Sequence, residues 1–207
     1  MAQYFEVHPE NPQIRLLKQA VGLLEKGGVL AVPTDSSYAL VCHLDDKTAV
    51  DKMRQIRGVD DKHHLTLLCR DLAELSSYAK VDNRQFRLLK AATPGPYTFI
   101  LEANKEVPRR VSHPSRKTIG LRVPEHKVLH ELLALHNGAL LSTTLIAPGE
   151  TDPLNDAQDI RERFEHQLAA VIDAGACALE PTTVVDLSGD EPVLIRQGRG
   201  ELSVLGL

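Results

Sequence analysis

Short aliphatic runs recur along the chain, each stopped by a proline, a glycine or a polar cluster, and most alternate with segments of helical periodicity. That rhythm predicts a mixed α/β sheet covered by helices. Several short runs stand next to each other, which argues against a purely doubly wound parallel fold. Residues 29–32 form the first such run, ended by Pro33, and residues 38–42 read as its partner strand. Further strands are expected at 65–69, 97–102, 118–123, 139–142, 171–172, 182–187 and 193–196.

The helices follow from apolar spacing and end signals. Asn11-Pro12 opens one with proline in its first turn, Ile14, Leu17, Val21 and Leu24 line its apolar face, and Gly27-Gly28 stops it. Residues 46–57 form a second, with Val50, Met53 and Ile56 as the inner stripe. Asp71 and Glu74 have capping-box spacing before a short helix. Residues 82–92, 125–136 and 155–164 complete the set, the last with Asn155 and Gln158 as candidate caps. No linker interrupts the pattern, so residues 1–207 are expected to form a single domain.

Composition excludes several classes. Hydrophobic residues make up 43% and charged residues 25%, so the chain is not mainly disordered. Aromatics are 4% with no tryptophan, so the core must be aliphatic. No apolar run approaches the ~20 residues of a membrane helix, and residues 1–10 carry Glu6 and His8 instead of an apolar signal core. The expectation is a cytoplasmic protein. Cys42, Cys69 and Cys177 are far apart with no C-x-x-C, and read as small buried hydrophobes. The overall charge of −4 hides an asymmetry. Residues 52–122 hold fifteen Lys and Arg against seven Asp and Glu, so either a cationic face or scattered solvated charges must result.

Generic motifs fail. Gly22 and Gly27 have Walker A spacing, but Gly28-Val29 stands where Lys-Ser/Thr is required. Gly198-Arg199-Gly200 lacks the third glycine of a dinucleotide fingerprint. His126 and His130 are one helical turn apart and either share a metal or sit at the surface, and no third ligand stands near them in sequence. No nucleophile–histidine arrangement emerges, and no metal site is assigned.

Three segments carry local chemistry. The polar residues Thr34, Asp35, Ser36 and Ser37 emerge at a strand end, where ligands commonly bind in α/β sheets, or form an ordinary turn. Tyr38 either walls a pocket or packs in the core. Arg54 and Arg57 are three apart at a helix end, with Lys62 in the loop beyond, an arrangement that suits a triphosphate or the helix dipole. His63 and His64 follow, either against phosphate or facing solvent. Thr118, Gly120 and Arg122 share one face of a strand, opposite Ile119, Leu121 and Val123, so an apolar face backs a polar face carrying a guanidinium.

Taken in order, six segments resemble the YrdC/YciO family, whose active members make threonylcarbamoyl-adenylate. Pro33-Thr34-Asp35-Ser36-Ser37-Tyr38-Ala39-Leu40 resembles its P-T-D/E-T-x-Y-G-L turn, and Arg54-Gln55-Ile56-Arg57 with Lys62 its K-x-R…K segment. Pro94-Gly95-Pro96-Tyr97-Thr98-Phe99-Ile100-Leu101 resembles P-G-P-x-T-x-I-L, and Thr118-Ile119-Gly120-Leu121-Arg122-Val123-Pro124 resembles T-x-G-x-R-x-P. Pro181-Thr182-Thr183-Val184-Val185-Asp186 and Arg196-Gln197-Gly198 are similar to the closing motifs. The resemblance spans nearly the whole chain and leans to the YciO branch. It implies one YrdC-like domain with a three-layer fold, a twisted mixed sheet between helices.

The resemblance also implies a nucleotidyltransferase-type reaction. Threonine and bicarbonate form a carbamate that attacks the α-phosphorus of ATP, and the product serves tRNA modification. The implied ATP residues are Arg54, Arg57, Lys62, Thr118, Thr143 and Arg196, and the implied threonine residues are Thr34, Tyr38, Arg122 and Thr182. Magnesium would arrive with the ATP, and no protein nucleophile is implied. Two departures point to weakened turnover. Leu145 stands where the family's S-x-N motif has asparagine, and Gln55 where K-x-R has lysine. Restoring both residues is expected to raise activity. The alternative function is a nucleotide- or double-stranded-RNA-binding protein without efficient chemistry.

Overall fold

The computed structural model describes all of residues 1–207. Ten strands form one sheet: β1 (Gln3–Glu6), β2 (Leu30–Val32), β3 (Ala39–His43), β4 (Thr66–Leu68), β5 (Tyr97–Glu102), β6 (Thr118–Arg122), β7 (Leu140–Thr144), β8 (Ala170–Asp173), β9 (Thr183–Asp186) and β10 (Val193–Arg196). Their spatial order is β1-β8-β2-β3-β7-β4-β6-β5-β9-β10. The pairs β1/β8, β2/β8, β4/β6 and β5/β9 are parallel and the other five antiparallel, so the sheet is mixed, as the alternation in sequence predicts.

Six helices cover it: α1 (Ile14–Glu25), α2 (Lys47–Arg57), α3 (Leu72–Tyr78), α4 (Asn83–Ala92), α5 (Lys127–His136) and α6 (Ala157–Phe164). Strand alternation sends Ala31, Leu40, Cys42, Leu67, Phe99, Leu101, Ile119 and Leu121 to one face. There they join the inner residues of α2, Leu75 of α3, Leu89 of α4, and Ile160 and Phe164 of α6. This core runs across the width of the sheet. The opposite face is different. Its apolar cluster joins α1 and α5 to β1, β2, β3, β8, Leu68 of β4 and Leu140 of β7, and takes no residue from β5, β6, β9 or β10. Half of that face is left open.

Several local expectations change. Pro12 lies outside α1, whose N-cap is Gln13. The N-cap of α6 is Asp156, which accepts from the Asp159 amide, while the Asn155 side chain donates to the Cys177 carbonyl at 3.3 Å. At α3 the capping box is shifted: Asp71 accepts from the Glu74 amide, but the Glu74 carboxylate reaches the amide of Arg70, one residue too early. The reciprocal box forms instead between Asp82 and Gln85 of α4. The sequence pattern missed β1, where Phe5 is the one fully buried residue, and a 3-10 turn at Leu202–Leu205. His126 is the N-cap of α5, its ring accepting from the Leu129 amide, and His130 is exposed on the helix.

Gly120 on β6 faces the open half. A Cβ there would stand 2.6 Å from the Thr66 hydroxyl and 3.1 Å from the Leu65 carbonyl. Gly120→Ala is expected to cost about 1–3 kcal/mol by overpacking, read as a lower midpoint in urea unfolding. An unchanged midpoint would show that β4 and β6 can separate freely.

Candidate anion-binding groove

The open half of the sheet carries the candidate site. Its floor is Thr66 of β4, Gly120 of β6, Thr98 and Ile100 of β5, and Val184 of β9 with the preceding Thr182. These strands have apolar residues on the covered face and, beside Ile100 and Val184, hydroxyls or glycine on this one, the period-2 split legible at residues 118–122. The walls come from three places. Arg57 is the last residue of α2, where Gly58 at φ 70° ends the helix and turns the chain into the loop carrying His63 and His64. Thr143 and Thr144 end β7, and Arg196 ends β10. The groove has a volume of about 510 Å³. A deep end of about 30 Å³ shares Thr66, Thr98, Thr143, Thr144 and Thr182 with it and is closed by Ser36, Ser37, Ser142 and Arg122.

No carboxylate lines the groove. Arg57 Nε donates to the Thr144 carbonyl at 3.0 Å, and Arg196 donates to the Thr182 carbonyl through Nε at 3.2 Å and Nη2 at 3.0 Å. Carbonyl oxygens orient both guanidiniums without neutralising them, so their positive charge remains available to a ligand. Partial burial lowers the pKa of each. The His63 ring lies 3.2 Å from the Thr143 hydroxyl and the His64 ring 3.2 Å from that of Thr118. His64 also stacks on His113, with ring centroids 4.8 Å apart. Burial pushes both pKa values down, assisted by Arg57 at His63 and by His113 at His64. At neutral pH both rings are uncharged, each offering one donor and one acceptor. Two cations, neutral imidazoles and a set of hydroxyls suit an oxyanion such as a polyphosphate, and Ile100, Ile146, Val184 and Ile195 offer it an apolar neighbour.

The structure brings together Arg57, Thr143, Thr182 and Arg196 in the groove and places Arg122 at its deep end. Thr118 stands behind His64. Four expected residues lie elsewhere. Arg54 diverges from Arg57, its Nη2 donating to the Arg110 carbonyl at 3.2 Å. Lys62 is exposed and outside the lining. The Thr34 hydroxyl is spent inside its own turn, donating to the Ser37 carbonyl at 2.7 Å, and faces a separate cavity. Tyr38 belongs to the core, fully buried, with its hydroxyl donating to the Gly175 carbonyl at 2.9 Å. Sequence reasoning did not single out Thr66 or Thr98. Thr98 was legible as the polar alternate of Phe99 and Leu101, whereas His63 and His64 left two alternatives that only the loop's path decides.

Two further expectations are corrected. The basic block does not converge on the groove: of its fifteen cations only Arg57 and Arg122 line it or its deep end. Lys80, Lys105, Arg109 and Lys117 rim a separate cleft of about 750 Å³. Leu145 does not point to the groove either. It is fully buried in the larger core, and Gln55 is exposed on α2.

Comparison with known proteins gives four findings. The family model Sua5_yciO_yrdC, described as telomere recombination, matches residues 22–198. YciO of Escherichia coli (strain K12) is 48% identical over 202 residues, 98% of each chain, and its crystal structure superposes with a TM-score of 0.96 over 99% of this chain and 100% of that one. A threonylcarbamoyl-AMP synthase of Halorhodospira halophila is 30% identical over 82% of this chain and 89% of its own. A structure of P. abyssi Sua5 complexed with L-threonine is 25% identical, with a TM-score of 0.87 over 94% of this chain and 57% of that one.

Two predictions follow from burial. Leu145→Asn places an amide in the core and is expected to cost about 2–5 kcal/mol; with Gln55→Lys it lowers the melting temperature and brings no gain of activity, against the expectation from sequence. The second concerns pH. His63, His64, His126 and His136 all titrate below the ordinary 6.5, chiefly through burial. The unfolded chain takes up protons first, so their contribution to stability is complete above about pH 6.5 and is lost as pH falls through the folded values. The melting temperature should therefore drop from pH 7 to pH 5. Pyrophosphate, paired with imidazolium in the groove, should narrow that drop. A flat profile would contradict the burial of these rings.

Proposed function

We propose, for a chain that belongs to the Sua5/YciO/YrdC family, that the groove binds the triphosphate of ATP and its deep end the carboxylate of L-threonine, in a reaction of the threonylcarbamoyl-AMP synthase type. The relationship to threonylcarbamoyl-AMP synthases supports the reaction class, and the P. abyssi relative held with L-threonine supports the amino acid. The observation that carries the reading is the carboxylate-free groove, in which Arg57 and Arg196 are held by carbonyl oxygens and, for Arg196, the Thr182 hydroxyl, with no acidic partner.

In this reading Arg57 and Arg196 hold phosphate oxygens, with hydrogen bonds from His63 and the threonine hydroxyls. The threonine amine and bicarbonate give a carbamate with loss of water, and a carbamate oxygen attacks the α-phosphorus as pyrophosphate leaves. No side chain forms a covalent bond. The site acts by positioning and by stabilising charge on the phosphates. The lining has no carboxylate to hold magnesium, so the residues fit an ion carried by the phosphates and not one held in a protein cage.

The test is pyrophosphate release from ATP and Mg²⁺ with threonine and bicarbonate added. Release is expected to need both additions, and Arg57→Ala or Arg196→Ala is expected to reduce it about ten- to a hundredfold, the worth of one charged hydrogen bond. No release at high enzyme concentration would overturn the synthase reading. Salt-dependent binding of structured RNA by the 750 Å³ cleft would then favour the RNA-binding alternative.

A further inference from the structure

Strands β5 and β6 are antiparallel neighbours, a pair that a loop of about 2–5 residues can join. Residues 103–117 join them instead, and a loop of that length without secondary structure is uncommon in a compact domain and usually functional. This one is ordered by its own contacts. Val107 and Val111 are buried in the larger core, the Asn104 side chain donates to the Ser77 carbonyl at 2.6 Å, and the Ala103 amide donates to the Lys117 carbonyl at 3.0 Å. The loop carries five cations, Lys105, Arg109, Arg110, Arg116 and Lys117. The fold employs two of them: Arg110 donates to the Asp45 carbonyl at 2.6 Å, and Arg116 pairs with Asp186. The side chains of Lys105, Arg109 and Lys117 have no partner, and all three line the cleft of about 750 Å³. The one carboxylate in that lining, Glu102, is taken by Lys80. Lys117 is held in the left-handed region at φ 55°, which a lysine rarely adopts, by its amide donating to the His113 carbonyl at 2.9 Å. The His113 ring lines the cleft and stacks on His64 of the groove, so the two concavities share a wall but no lining residue.

We propose that this cleft is a second anion-binding site, separate from the groove, and that it takes a compact polyphosphate. The inference stands apart from the synthase reading and does not depend on chemistry in the groove. Three like charges converging on one concavity repel one another in the free protein, and a multivalent anion turns that repulsion into attraction. Walls of low dielectric focus the field of such a cleft on what enters it. Its volume falls within the roughly 300–1,000 Å³ of small-molecule sites. The guanidinium of Arg109 can grip two phosphate oxygens at once, and Lys105 and Lys117 add point charges. The only ring in the lining is that of His113, already stacked on His64, so a nucleobase finds no free aromatic platform and the phosphates are what the site reads. An RNA duplex presents its phosphates on a convex rod and would meet only the rim of a concave cleft, which favours a compact anion over RNA.

The experiment is calorimetric titration of the whole protein with inorganic tripolyphosphate at an ionic strength of about 0.15 M, where long-range attraction is screened. It is run on the Arg57→Ala/Arg196→Ala variant, which silences the groove, and one tripolyphosphate per chain is expected to bind. In that background Lys105→Ala and Arg109→Ala should each weaken binding about tenfold or more, the worth of one charged contact. Lys117→Gly, which removes the charge and keeps the left-handed backbone, should do the same. Should either alanine variant lose its cooperative melt, Lys105→Gln and Arg109→Gln, which keep most of the side-chain stem, decide. No binding in the groove variant overturns the proposal, and so does binding indifferent to all three substitutions. Displacement of tripolyphosphate by a short RNA duplex that itself depends on the same three residues would assign the cleft to RNA and overturn it as well. The titration does not read pyrophosphate release, so this inference and the synthase reading stand or fall separately.

Discussion

Helices α1 and α5 cover only half of one sheet face, and the groove exists because of that incomplete cover. A helix stabilises a sheet by removing apolar surface from water at roughly 25 cal/mol per Å². Where no helix lies, the strands are free to present hydroxyls among a few apolar side chains such as Ile100 and Val184. The opposite face carries the apolar burial across the sheet, with Phe99, Leu101, Ile119, Leu121 and Val185 beneath the groove floor. The same strands serve stability on one side and ligand chemistry on the other.

Three arginines around the site are held in two different ways, and the difference sets their roles. Arg122 is buried in an ion pair with Asp35, and burying an unpaired guanidinium is costly: removing one partner of such a pair typically costs about 3–5 kcal/mol. Asp35 makes its burial possible. Arg57 and Arg196 are only partly buried and rest on the carbonyls of Thr144 and Thr182. They retain enough solvent to stay charged without a counter-ion. A ligand anion therefore meets uncompensated charge in the groove and a compensated pair at its deep end. The neutral state of His63 and His64 follows from the same balance: burial disfavours the charged ring at both, and at His63 an imidazolium would also add a like charge beside Arg57.

The departures from the synthase motifs take on physical meaning in the fold. Thr143 keeps a hydroxyl in the lining, where it meets His63. Leu145, two residues on, has rotated into the larger core, and its backbone is engaged on both sides: its amide donates to the Tyr38 carbonyl and its carbonyl accepts from Leu154. The chain spends that position on packing. Gln55 sits on the exposed side of α2, one residue from Ile56 in the core and two from Arg57 in the groove, so a charge there would act on solvent.

What the sequence determined by itself is local and periodic. Proline after residues 29–32, the glycines after α1 and the alternation at residues 118–122 are legible because strand and helix periods depend on neighbours in the chain. From them come the mixed α/β class, nearly all the strands and helices, and a polar strand face carrying Arg122. The four-residue β1 escaped because a strand with one fully buried residue has no period to read. The tertiary structure decided which polar residues meet. It separated Arg54 from Arg57, sent Tyr38 into the core and dispersed the basic block. It also turned His63 and His64 inward and joined Arg122 to Asp35. Each of these outcomes depends on where a helix or loop lies over the sheet, and that is settled by contacts between residues far apart in sequence, which no local pattern records.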